Sequence, residues 1–165
     1  MRDSLMTVTL KEIDRSNFYE CVKLDVREDQ REFVATNAYS IAQAKVETTC
    51  AVRAVYDGDE MVGFVMYGLD LDDGRHYLGR LMIDKRHQGK GYGRAATVEA
   101  VERLRRELGC REVFLWVHVK NDCARRLYES LGFVTTGEMN ANGHEELMRL
   151  ELNGAASGDA GRVNA

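Results

Sequence analysis

Three glycines, Gly89, Gly91 and Gly93, stand among Arg86, Lys90 and Arg94 in the stretch RHQGKGYGRA. Glycines let successive backbone N–H groups approach an anion with no Cβ in the way. A helix that follows adds its free N–H groups and the positive end of its dipole. The chemistry such a loop can do is phosphate binding. The spacing matches neither common nucleotide motif. Gly91 is followed by Tyr92, which breaks the Walker pattern, and G-x-G-x-G replaces the dinucleotide G-x-G-x-x-G. On the loop alone, a pyrophosphate cradle and a tight strand-to-helix turn with solvated basic residues remain equal alternatives.

Other reactive side chains read more plainly. Cys21, Cys50, Cys110 and Cys123 form no C-x-x-C pair, and the four histidines add no ligand spacing near them, so neither a disulfide framework nor a metal site is expected. Cys123 has no histidine partner by spacing and reads as a small packing residue. Tyr128 lies on the stripe Ala124, Leu127, Tyr128, Leu131, which by pattern alone makes it a packing tyrosine with a wet hydroxyl.

The elements that must position these residues follow from periodicity. VTLKEI (8–13) reads as a strand, followed by helical patterns near 18–24 and after Ser40, a possible cap. CAVRAVY and MVGFVMYG flank an Asp57-Gly58 turn, and HYLGRLMID follows the acidic turn DLDDG, together an antiparallel meander. After the glycine loop a helix runs to Leu108, with Val98, Val101, Leu104 and Leu108 as its apolar face and Gly109 as its stop. EVFLWVHV is apolar enough to be a central strand. NDCARRLYESLGF reads as a short helix capped by Asn121 or Asp122, and FVTTGEM with EELMRLEL as a last strand pair turned at Asn142-Gly143. The fold class is therefore α/β (α+β): one mixed, mostly antiparallel sheet flanked by helices. Residues 1–152 make one domain, and 153–165 read as a disordered tail.

The 165 residues carry a net charge of −4 with 44% hydrophobic content, an ordinary globular balance. That charge argues against nucleic acid or an anionic membrane as the main partner and leaves room for a cationic one. The N-terminus has no signal-peptide core and no apolar run reaches membrane length, so the expectation is a soluble protein of a reducing cytoplasm.

The loop also has a companion. RHQGKG matches Q/R-x-x-G-x-G/A, and Asn121, Ala124, Tyr128, Gly132 and Phe133 match Asn-x-x-Ala-x-x-x-Tyr-x-x-x-Gly-Phe, the two signatures of the GCN5-related N-acetyltransferases (GNAT). The element order resembles that fold from about residue 7 to 152. DVREDQREFVATNAYSIAQA, GFVMYG, RLMIDKRHQGKGYGR and GEMNANGHEELMRLEL further resemble the bacterial spermine/spermidine (diamine) N-acetyltransferase subgroup. The chain departs from the pattern in two ways: Asp84-Lys85 stands where the family often has a proline, and HYLGRLMID lacks the glutamate that some relatives use as general base.

The resemblance implies central strands that splay, acetyl-CoA as co-substrate, no metal, and direct attack of an amine on the thioester. It implies that Leu81, Met82 and Ile83 run along the acetyl and pantetheine portion. Gln88, Gly89, Lys90, Gly91, Tyr92, Gly93 and Arg94 would wrap the pyrophosphate, and Asn121 would meet the pantetheine arm. The oxyanion would be met by the Met82 or Ile83 amide, and Tyr128 would protonate the leaving thiolate. A polyamine nitrogen, with a pKa of about 10, must lose a proton first; Glu28, a water chain or His118 are the open choices. Carboxylates of the segment bordering the acceptor cleft, Asp25, Glu28, Asp29 and Glu32, with Phe33 and Tyr39, would hold a polycation, or would form a solvated helix face. A polyamine is the expected small-molecule acceptor. A protein N-terminus, an amino acid, an aminoglycoside, or a non-catalytic acyl-CoA-binding module are the alternatives. Relatives imply a homodimer.

Overall fold

The computed structural model describes residues 6–153; the expected disordered tail lies, from residue 154 on, outside them. The elements are β1 (Thr9–Glu12), α1 (Phe18–Lys23), a 3-10 turn (Glu28–Gln30), α2 (Asn37–Val46), β2 (Cys50–Asp57), β3 (Glu60–Leu69), β4 (His76–Ile83), α3 (Tyr92–Leu108), β5 (Glu112–His118), α4 (Asp122–Ser130), β6 (Val134–Met139) and β7 (Glu145–Glu151). The seven strands form one sheet in the order β1-β2-β3-β4-β5-β7-β6. All neighbours are antiparallel except β4 and β5.

The β4–β5 junction decides what the fold can do. Its parallel ladder has a single pair, Tyr77 with Phe114. Beyond it β4 continues to Ile83 and β5 to His118 without pairing, while each stays bonded to its outer neighbour. The sheet is thus open along the line where the two strands diverge, as splayed central strands require.

A bulge on β4 sharpens this geometry. Met66 pairs with Arg80 and Tyr67 with Leu78, so Gly79 has no partner on β3. An extra residue reverses the side-chain alternation. Leu78 accordingly joins the apolar cluster under α3 and α4, and Arg80 and Met82 turn to the opposite face, under α1 and α2.

Each sheet face has its own core. Val55, Val65, Leu104, Val113, Leu115, Phe133 and Met148 pack on the α3/α4 side, and Cys21, Leu24, Ala54, Phe64, Met66 and Met82 on the α1/α2 side. The meander, the central position of β5 and the Asn142-Gly143 turn agree with the sequence reading. Two details differ. Helix α2 begins at Asn37 with the Thr36 hydroxyl accepting the Tyr39 amide, and Ser40 is buried inside it, its hydroxyl donating to the Thr36 carbonyl. The buried face of α3 is Tyr92, Ala96, Thr97, Ala100 and Leu104, whereas Val98 and Leu108 are 52% and 48% exposed. Small residues bring this helix down onto the sheet, so close approach rather than bulk selects its inner face.

Candidate active site

The glycine loop joins β4 to α3 directly at the open junction. Gly89 and Gly91 have φ of 75° and 92°, a left-handed backbone that side chains with a Cβ rarely adopt. Gly91 is the N-cap of α3, and no acidic residue occupies the first turn. The first N–H groups of a 17-residue helix are therefore presented beside exposed Gly89, Lys90 and Gly91. Gly93 is the packing member: a Cβ there would lie 3.4 Å from Leu127 of α4 and 3.9 Å from Ile83 of β4. Thus β4, α3 and α4 converge at the head of the loop.

The basic side chains have distinct commitments. Arg86 donates to Asp84 (2.7 Å), Arg94 donates to the Ser130 hydroxyl of α4 (2.8 Å), and Lys90 has no ion pair among the described residues. The Tyr92 ring turns inward, its hydroxyl 2.5 Å from Asp57, so only its backbone faces the loop. The Gln88 side chain donates to the Ile83 carbonyl (3.0 Å) and to Gln30 (2.8 Å).

On β4, Leu81, Met82 and Ile83 pair only with β3, opposite Val65, Phe64 and Gly63. Gly63 is required by contact, because a Cβ there would strike the Met82 carbonyl. Across the junction Asn121 caps α4, accepting the Ala124 amide at 3.2 Å. Tyr128 is one residue beyond Leu127, 9% exposed, with its ring edge-on to Phe133 at 5.7 Å. Its hydroxyl has no hydrogen-bond partner among the described residues, and burial pushes its pKa up to about 12. A protonated, unengaged phenol beside an open junction is suited to giving a proton to a strong base formed there.

The acidic segment divides. Asp25 is an internal strut: its carboxylate meets Arg31 (2.7 Å) and Lys85 (3.4 Å), and the Arg31 hydrogen bond holds its pKa below the ordinary value. Its amide donates to Asp84 (3.0 Å), and its carbonyl accepts from the Lys85 amide (2.8 Å). Glu28, Asp29 and Glu32 are exposed, with Asp29 near Arg27 (3.5 Å). Phe33 lies 4.9 Å from the His118 ring, whose Nδ1 accepts from the Lys120 amide. Tyr39 is exposed on α2 and lies under the Arg80 guanidinium.

Sequence reasoning missed two things. One is Asp84, buried, accepting from Asp25 and twice from Arg86. Its burial would push the pKa up, but the Arg86 guanidinium and the two amides outweigh this and hold it below the usual range. The other is a cavity of about 450 Å³ on the α2 side of the junction, lined by Glu47, Cys50, Asp70, Asp72, Arg80 and Trp116 among others. The charged Arg80 beside the apolar run Leu81–Ile83 was the available signal. A larger cavity, about 830 Å³, lies between Gly74–His76 and Val134–Thr136, at the other end of β4 from the loop. No group of three His, Cys, Asp or Glu side chains among the described residues could hold a metal ion. Among the same residues no helix is long and apolar enough to cross a membrane.

Comparison with known proteins agrees with this geometry. The profile of the Acetyltransferase (GNAT) family matches residues 8–133. A spermine/spermidine N(1)-acetyltransferase from Bacillus subtilis (strain 168) is 32% identical over 154 residues, covering 89% of this chain and all of the relative. A spermidine N-acetyltransferase from Vibrio cholerae, in complex with CoA and spermine, superposes with a TM-score of 0.71 at 20% identity, over 88% of this chain and 95% of the other. The Salmonella typhimurium yncA structure with its cofactor acetyl-CoA superposes with a TM-score of 0.69 at 20% identity, over 93% of this chain and 99% of the other.

Proposed function

The chain belongs to the acetyltransferase (GNAT) family, and from that premise we propose that it transfers the acetyl group of acetyl-CoA to a primary amine of a polyamine. The observation that carries the donor half is the open β4–β5 junction headed by the glycine loop and the α3 N-terminus. The acceptor half is supported by the full-length likeness to a spermine/spermidine N(1)-acetyltransferase.

In this reading the pantetheine arm lies between the diverging strands, against the backbone of Leu81 to Ile83 and the Asn121 side chain. Its pyrophosphate sits on the N–H groups from Gln88 to Arg94, with Lys90, which has no ion pair among the described residues, adding positive charge. The acceptor enters from the α2 face, and its neutral nitrogen attacks the thioester carbon. The Met82 or Ile83 amide meets the oxyanion. As the C–S bond breaks, the Tyr128 hydroxyl protonates the CoA thiolate. Glu28, Asp29 and Glu32, exposed beside the cleft, would meet the far end of a polycation only as it enters; Asp25 is held by Arg31 and Lys85.

The reading assigns the enzyme to a reducing cytoplasm, in keeping with four free cysteines. It assigns a homodimer, for which the outer edge of β6, with Val134 and Met139 exposed, offers a surface. The test is CoA release from acetyl-CoA with spermidine, spermine and diamines beside monoamines, amino acids and peptide N-termini. Release with polyamines above all others is expected; release only with the others would refute the acceptor assignment.

A further inference from the structure

A polyamine nitrogen is almost fully protonated near neutrality, and a protonated amine has no lone pair with which to attack. Neither β4 nor β5 supplies a carboxylate at the open junction: the residues facing the α2 side there are Arg80, Met82, Trp116 and His118. Two charges flank the stretch Leu81–Ile83 along the chain: Asp84, buried and taken up by Arg86 and the Asp25 amide, and Arg80. Its guanidinium donates to Gln43 of α2 (2.7 Å), touches the Met66 sulfur (3.2 Å) and lies 5.5 Å over the Tyr39 ring. No carboxylate is within ion-pairing distance of it among the described residues; the nearest link is indirect, Gln43 donating to Glu47 at 2.8 Å.

The cavity beside Arg80 is polarised. From the junction, where Arg80 and Trp116 line it, it runs to the C-terminal end of α2 and the β3–β4 turn, where Glu47, Asp70 and Asp72 line it. Three carboxylates thus stand against one guanidinium, with Tyr77 and Trp116 also in the lining. The other titratable groups facing Arg80 are Tyr39 from α2 and Cys50 from β2; His118 lies farther along β5, against Phe33. Burial first, then Glu47, raises the Cys50 thiol, so that group stays neutral.

We infer that Arg80 keeps the attacking nitrogen neutral by charge repulsion, while Glu47, Asp70 and Asp72 at the far end of the same cavity hold the acceptor's remaining ammonium groups. The inference rests on the polyamine reading and deepens it. A fixed cation beside an amine disfavours the protonated form, and the proton goes to solvent. The far carboxylates offset the repulsion that Arg80 exerts on a polycation. A substrate with one amine gains nothing from them, so the cavity selects molecules with a second positive charge several bonds from the first. Arg80 is a positioning residue for charge, and no general base on β4 is needed.

The experiment is the pH profile of kcat for spermidine, which reports the bound amine, from about pH 6 to about pH 10, in wild type, Arg80→Met and Arg80→Lys. Arg80→Met is expected to lose about tenfold or more near neutrality and to recover at high pH. The limb that rises with pH should move about one to two pH units higher. Arg80→Lys should keep the wild-type limb. A uniform loss with the limb unmoved marks a merely structural role and overturns the inference. Asp70→Asn with Asp72→Asn should raise the KM for spermidine about tenfold and leave that for a monoamine unchanged. An equal effect on both, or a rise produced instead by neutralising Glu28, Asp29 and Glu32, overturns the far-end assignment. Wild type inactive on every polyamine brings down the proposed function as well; wild type active with an unmoved limb in Arg80→Met brings down this inference alone.

Discussion

At the scale of single residues, the site separates groups that are free from groups already engaged. Tyr128 is the free acid: buried, without a hydrogen-bond partner among the described residues, and protonated up to about pH 12. Its replacement by Phe removes one oxygen from a ring whose packing on Phe133 is retained. Turnover of Tyr128→Phe is expected to fall at least about 100-fold, with acetyl-CoA affinity by calorimetry nearly unchanged; turnover equal to wild type would exclude the acid role. Because the hydroxyl stays neutral throughout the working range, no limb of the wild-type profile below pH 10 should belong to it. The engaged groups explain the limits of residue-by-residue reading. Asp25, Arg86 and Tyr92 look like ligand contacts by charge or motif position, yet their side chains are held by Lys85 and Arg31, Asp84, and Asp57. Charge type is written in the sequence; the partner that uses it is decided by which loops meet.

Among the elements, the one-dimensional pattern specified the strands, the loop–helix unit and a cap at Asn121 or Asp122, of which the structure uses Asn121, because these depend on local period and turn chemistry. What it could not specify is the bulge at Gly79, since one unpaired residue reverses every later side chain and leaves no mark in composition. That reversal turns Arg80 toward α2 and into the cavity of about 450 Å³ there. Nor could it reveal the latch between the 25–31 segment and the loop after β4, which is made by contacts about 60 residues apart in sequence. Asp84 is its centre. Asp84→Asn is expected to cost about 2–3 kcal/mol by urea unfolding, because it leaves the Arg86 partner and one amide poorly matched. The pH dependence has a definite sign. The native carboxyl is held below its unfolded pKa, so its contribution is full above about pH 4 and is lost as pH falls through the native value. The variant should therefore show a flatter loss of stability on acidification than wild type.

For the whole molecule, the two apolar clusters and the two helical layers hold together a sheet that the β4–β5 ladder scarcely joins. Acetyl-CoA binding, by the proposed function, adds contacts to both sides of that gap. At a concentration about 100-fold above Kd the added stability is about 2.7 kcal/mol, which for a chain of this size raises Tm by about 5–10 °C. Differential scanning calorimetry with CoA, and with a truncated pantetheine lacking the nucleotide, measures it; no shift with either would count against the cofactor site. The single Tyr77–Phe114 pair has a further consequence for motion. It makes the strand bundles β1–β4 and β5–β7 two breathing units that share one hinge point. Amide exchange in the free protein should therefore report two protection levels. With acetyl-CoA bound the amides from Gly79 to Ile83 should slow together, the ligand acting as the missing rungs of the ladder.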